Sequence, residues 1–272
     1  MSPLPRRGTV ADHPYVSYGT GPPLVVVPGV NDPLLPAGDQ LWFDGILAGY
    51  CYRQATACAA AGAPRTVYYV SRPIESEATT ATKMADGYRE ILDELGPADV
   101  LGVSMGGFLA LAIAREDDRV RSVTLGLAAG RLSRHGRESL RKWDEWAREG
   151  RWGKVYRAGL SAVTNGWRRR VATPIIHPFT RLRDHPTDVF RRSLAIATEF
   201  DATPWLGELS VPSLVVGGTA DPFFTATAFA DTADALGCRY ERLDGWGHDV
   251  LLDDGSRVDE PVARFLSRRA GA

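Results

Sequence analysis

The sequence predicts an α/β fold, with a mostly parallel central sheet and helices on both faces. Three observations carry this. Short β-branched runs alternate with longer helical stretches. The spacers are long enough for the crossover helices that parallel strands need, and those crossovers are right-handed. The rhythm breaks once, between about residues 130 and 203, where helical texture and many aromatics continue without a clear strand.

Taken in order, YVSYG at 15–19 alternates weakly and reads as an edge strand. LVVVPGV at 24–30 is a β-branched run ended by Pro and Gly, so a buried strand. Residues 39–62 read as a helix closed by Gly62, and TVYYVSRP at 66–73 as the next strand. Residues 79–96 form a helix with a Thr cap and Gly96 at its end. A strand at 98–104, a helix at 105–116 and a strand at 120–128 follow. Strands at 211–218 and 238–245 flank a helix at 225–237, and residues 259–270 read as a terminal helix. The stretch that breaks the rhythm reads as an insertion between the strands at 120–128 and 211–218.

The chain has 272 residues, 44% of them hydrophobic, enough to bury a core without staples. Its three cysteines, Cys51, Cys58 and Cys238, are odd in number and lack CxxC spacing, against a disulfide framework or a zinc site. A reducing, cytoplasmic setting fits. Arg6 and Arg7 are not followed by the apolar stretch of a signal peptide, and no run is long enough to span a membrane. Net charge is −1, but residues 131–192 hold 14 Arg and 2 Lys against 6 acids, a net of +10. That asymmetry suggests an anionic small-molecule substrate, with Arg168, Arg169 and Arg170 the first cluster to test. Solvated helix faces are the plainer reading. Nucleic-acid binding is not expected, since one local basic stretch in a chain of near-zero net charge is a poor footprint for it. No phosphate-binding glycine loop, metal-ligand spacing or cofactor motif occurs, and no cofactor is expected.

GVSMG, residues 102–106, sits between a strand and a helix. A serine there can be a turn residue, a cap or a nucleophile. The nucleophile reading explains the glycines: a sharp strand-to-helix turn strains the serine backbone, and Gly102 and Gly106 remove side chains that would collide. The helix beginning at Met105 then presents its positive end to a developing anion. A serine nucleophile needs a base, held by a third group. Of five histidines, His13 is N-terminal and His135, His177 and His185 lie in the insertion. His248, in the loop after the last strand, can reach back over the sheet edge. Asp221 follows a buried strand and can orient the imidazole, although Pro222 beside it leaves a plain helix cap open. Asp244 and Asp249 are nearer in sequence but too local to brace the ring.

VVVPGVND, LGVSMGG and the pair GGTADP and GWGH, in the order Ser104, Asp221, His248, resemble the α/β-hydrolase superfamily of the esterase, lactonase and C–C hydrolase type. The resemblance covers 1–129 and 204–272. It implies an α/β-hydrolase fold with a helical cap, residues 130–203, inserted after the sixth strand. It also implies an oxyanion hole, with one backbone donor at Met105 and the other at Val30. Many relatives carry a histidine before the glycine of that loop; this chain has Pro28-Gly29, which keeps the backbone donor and lacks the bracing histidine. The implied activity is a serine hydrolase of small-molecule ester-type bonds. An acyltransferase on the same residues, or a ligand-binding member of the fold with little turnover, are the rivals. Trp143 and Trp146, three apart, read as a packing stripe rather than a pocket wall.

Overall fold

The computed structural model describes residues 4–73, 75–165, 170–171 and 185–270. Its centre is an eight-stranded sheet in the order β1-β2-β4-β3-β5-β6-β7-β8. The strands are β1 (Arg6–Val10), β2 (His13–Gly19), β3 (Pro23–Val27), β4 (Thr66–Val70), β5 (Ala98–Val103), β6 (Val120–Gly126), β7 (Ser213–Gly218) and β8 (Arg239–Leu243). The pairs β1–β2 and β2–β4 are antiparallel, and every pair from β4 to β8 is parallel.

Eight helices belong to the argument: α1 (Leu41–Ala60), α2 (Ala81–Leu95), α3 (Met105–Glu116), α4 (Arg134–Arg148), α5 (Trp152–Val163), α6 (Thr187–Glu199), α7 (Ala226–Ala235) and α9 (Ser256–Ala270), with a single turn, α8 (Val250–Asp253), before the last. Alternate residues of β3 face opposite sides of the sheet, which is why the whole run is apolar. Leu24 and Val26 join Cys51, Cys58 and Val262, from α1 and α9, on one face. Val25 and Val27 join Tyr88, Phe108 and Phe229, from α2, α3 and α7, on the other. Thr80 and Thr225 cap α2 and α7 by accepting from the backbone N–H groups of Lys83 and Ala228.

Two expectations are corrected. YVSYG is not the sheet edge: β1 pairs outside it, through a turn in which Ala11 and Asp12 both take positive φ. Counting β1, the strand at Val120–Gly126 is the sixth. The strand expected at 24–30 ends at Val27, leaving Pro28, Gly29 and Val30 as a loop at its exit.

Between β6 and β7 lie α4, α5 and α6. Entry and exit of this stretch meet: Ala202 N–H donates to Gly130 O at 2.9 Å, and Arg131 and Asp201 form an isolated bridge. No helix among the described residues is long and apolar enough to cross a membrane.

Candidate active site

The site is built on the carboxyl ends of β3, β5, β7 and β8, where a parallel sheet opens between its loops. Ser104 follows β5 directly and has φ 56° and ψ −124°, a conformation that costs a non-glycine residue roughly 1–3 kcal/mol. The surroundings enforce it. A Cβ on Gly106 would lie 1.9 Å from the Val27 carbonyl oxygen, and one on Gly102 would lie 2.3 Å from Gly106 O. Ser104 N–H donates to Gly126 O at 2.9 Å and its carbonyl accepts from Gly107 N–H at 2.9 Å, so the strained turn is pinned at both ends.

His248 comes from the loop after β8 and is almost wholly buried. Its Nε2 lies 3.0 Å from Ser104 Oγ, and its Nδ1 meets Asp221 Oδ2. Asp221 stands beyond β7 with its carboxylate fully enclosed. Its other oxygen, Oδ1, accepts from the N–H groups of Phe223 at 2.8 Å and Phe224 at 3.0 Å. The turn-cap reading and the ring-bracing reading of Asp221 therefore describe its two oxygens, one each. Asp244 pairs with Arg242 instead, at 2.6 Å. Phe223 and Phe224 also flank the imidazole, with ring centroids at 4.8 and 6.0 Å.

Met105 is the first residue of α3, so its N–H has no partner within the helix. Val30 is buried, and among the described residues no backbone carbonyl accepts its N–H. Its neighbour Gly29 lies against the serine: a Cβ there would be 3.2 Å from Ser104 Cβ.

The inserted helices touch these loops directly. Gly136 of α4 packs on the Phe223 carbonyl, and Trp143 meets the Phe223 ring edge-on at 5.8 Å. Trp143 is buried packing, and Trp146 carries Lys154 over its ring. Phe200, just after α6, stacks on Phe108 at 4.6 Å. At the end of α5, Thr164 Oγ1 donates to Asp253 Oδ1 at 2.6 Å, Asn165 N–H donates to Asp253 Oδ2 at 2.8 Å, and Asn165 Nδ2 donates to Asp249 Oδ2. Asp249 in turn accepts from Gly247 N–H at 2.9 Å, beside His248.

Arg168, Arg169, Trp167 and His177 lie outside the described residues; Arg170 is exposed. Elsewhere in the insertion, Arg191 pairs with Asp144 at 2.7 Å and Arg192 donates to Ser76 O at 2.8 Å. Among the described residues no group of three His, Cys, Asp or Glu is arranged to hold a metal.

Two features escaped the sequence reading. One is the link from α5 to the His248 loop. The other is Arg72, 1% exposed, at the exit of β4. Its Nη1 donates to Pro28 O at 3.0 Å and its Nη2 to Gly29 O at 2.5 Å. Its backbone N–H donates to Asp32 Oδ2 at 2.8 Å. Burial pushes the Asp32 carboxyl up from its ordinary range, opposed chiefly by the Arg72 charge. An arginine closing a buried strand, with an acid beyond the neighbouring strand, was the available signal.

With this geometry in hand, comparison with known proteins decides the family. A family model described as the alpha/beta hydrolase family matches residues 24–263. The chain belongs to the alpha/beta hydrolase family. Among curated proteins none matches it in sequence. Among solved structures, a Mycobacterium tuberculosis protein is 21% identical with a TM-score of 0.75, over 97% of this chain and 99% of its own. The enol-lactonase of Burkholderia xenovorans LB400 is 19% identical with a TM-score of 0.73, over 96% and 100%. An esterase of Exiguobacterium antarcticum is 17% identical with a TM-score of 0.70, over 93% and 96%. Such identities speak to fold.

Proposed function

We propose that this alpha/beta hydrolase is a serine hydrolase that cleaves an ester-type bond (ester, lactone or thioester) of a small molecule, with Ser104, His248 and Asp221 as its catalytic triad. One observation carries the reading: the run of contacts from Asp221 through the His248 ring to Ser104 Oγ, 3.0 Å from Nε2. The esterase and enol-lactonase among the fold neighbours suit an ester-type substrate.

In this mechanism His248 Nε2 takes the Oγ proton as Oγ bonds the carbonyl carbon. Negative charge gathers on the carbonyl oxygen, and the N–H groups of Met105 and Val30 receive it, each worth roughly 3–4 kcal/mol of barrier. The imidazolium passes its proton to the leaving oxygen or sulfur, whose bond to carbon breaks. Water, deprotonated by His248, then attacks the acyl-enzyme and releases the acid, restoring Ser104. Asp221 holds the Nδ1–H tautomer throughout. No step needs a cofactor.

Residues 1–129 and 204–272 form the hydrolase core in this reading, and 130–203 a helical cap, supported by the meeting of Gly130–Arg131 with Asp201–Ala202. An anionic substrate draws on the net +10 of residues 131–192. A cytoplasmic location agrees with Cys51, Cys58 and Cys238 being free thiols.

The test is turnover of p-nitrophenyl acetate and butyrate by wild type and Ser104→Ala, with intact mass after a fluorophosphonate probe. Turnover abolished by Ser104→Ala and one adduct on Ser104 are expected. A folded wild type with no labelling and only background turnover overturns the reading.

A further inference from the structure

The geometry points to Arg72 as the positioning residue of the oxyanion hole, acting through the Gly29–Val30 peptide. The inference rests on the serine-hydrolase reading and deepens it. A trans peptide is planar, so its C=O and N–H point in opposite directions. Whatever grips the carbonyl of Gly29 therefore aims the N–H of Val30. Arg72 Nη2 grips that carbonyl at 2.5 Å, while Nη1 holds the preceding one, Pro28 O, at 3.0 Å. Two adjacent peptides of one loop are thus clamped by one planar cation, with both N–H groups turned away from it. Ser104 stands against the same loop, close enough that a Cβ on Gly29 would touch it.

The clamp is rigid. Arg72 is 1% exposed, and its side chain and that of Asp32 are both enclosed, with Nη2 3.8 Å from Oδ2. Asp32 stands two residues beyond Val30 and takes the Arg72 backbone N–H, so the loop and the end of β4 hold each other reciprocally. Asp32 N–H also returns to Gly29 O at 3.3 Å, closing a turn around Val30. The guanidinium has a second effect. A cation on the carbonyl oxygen polarises the amide and makes its N–H a stronger donor in a dry site. Arg72 thereby supplies to Pro28-Gly29 the brace that this loop lacks in the form of a histidine.

The role predicts a loss confined to the transition state. A displaced donor weakens charge stabilisation while leaving ground-state binding alone. Wild type, Arg72→Lys and Arg72→Met would be compared with p-nitrophenyl butyrate for kcat and KM. The inhibition constant of phenylboronic acid, which forms a tetrahedral adduct with a serine, would be read alongside thermal midpoint. For Arg72→Met we expect kcat about 10- to 100-fold lower with KM within about threefold. Boronate affinity should fall in parallel, and Arg72→Lys should recover part of both. A folded Arg72→Met with kcat near wild type, or with lost turnover but unchanged boronate affinity, overturns the inference. If Arg72→Met does not fold, Arg72→Lys decides: a lowered kcat at unchanged KM supports the inference, and an unchanged kcat overturns it. Wild-type turnover that survives Ser104→Ala removes the parent reading as well. Ser104-dependent turnover that ignores Arg72 removes this one alone.

Discussion

Ser104 and His248 sit 3.0 Å apart, yet the chain holds them by opposite means. Ser104 is held by backbone and by absence. Strand β5 and helix α3 meet at an angle that only Gly102 and Gly106 permit, and two backbone hydrogen bonds lock the turn. His248 is held by side chains. Asp221 takes its Nδ1, Phe223 and Phe224 flank its ring, and Asp249 and Asp253 tie its loop to Thr164 and Asn165 of the inserted region. Each half is therefore vulnerable in its own way. Steric placement fails through folding, whereas polar placement fails through chemistry in a folded protein.

Asp221→Asn strikes the polar half. The amide favours the other imidazole tautomer, so kcat should fall about 10,000-fold, roughly 5 kcal/mol of barrier, with the fold intact. Steady-state kinetics beside circular dichroism check this, and unfolding instead of inactivity would place Asp221 on the structural side. Gly106→Ala makes the complementary case. Its Cβ would enter the Val27 carbonyl at 1.9 Å, so we expect about 3 kcal/mol or more of lost stability in denaturant titration. A stable, merely slow Gly106→Ala would contradict steric control of the elbow.

Smaller changes sharpen the contrast. Asp253→Ala removes the acceptor of Thr164 Oγ1 and of the Asn165 N–H, leaving the Asn165 side chain on Asp249, and should lower kcat about three- to tenfold, with about 1 kcal/mol of stability lost. Turnover equal to wild type would show that the link serves the inserted helices alone. Asp117, between α3 and β6, is a control remote from both halves. It accepts from Arg119 N–H and Nε, each at 2.9 Å, and from Nη2 at 2.7 Å, and these contacts hold its carboxyl below the usual carboxylate range. A lowered native pKa adds stability above the unfolded value, and that contribution is lost as pH falls through the lowered one. Asp117→Asn should therefore cost about 0.5 kcal/mol at neutral pH and nothing once the pH lies below the lowered native value, without altering turnover. Equal losses at both pH values in urea titrations would contradict the electrostatic account.

What could be read from the sequence follows the same division. The elbow is local: five residues carry it, and strand and helix patterns flank it, so Ser104 was legible. Asp221 and His248 were legible as candidates because each lies in the loop after a β-run. The buried β3 and β5 announced themselves through unbroken apolar runs. β1 did not, because RRGTV is exposed over its first four residues and carries no alternation, and its turn uses Ala11-Asp12 rather than a glycine pair. Arg72 and the α5 link were missed for a related reason. Their meaning lies in partners 40 or more positions away, Asp32 and Gly29 in one case, Asp249 and Asp253 in the other.

The order of the strands has a consequence for timing. During synthesis Ser104 leaves the ribosome long before His248, which follows 144 positions later and belongs to the loop after β8. A nascent chain has the elbow without its imidazole partner until β8 joins the sheet, and under the proposed mechanism it is inert until then. Under that mechanism, truncated products from a failed round of translation would share the inertness.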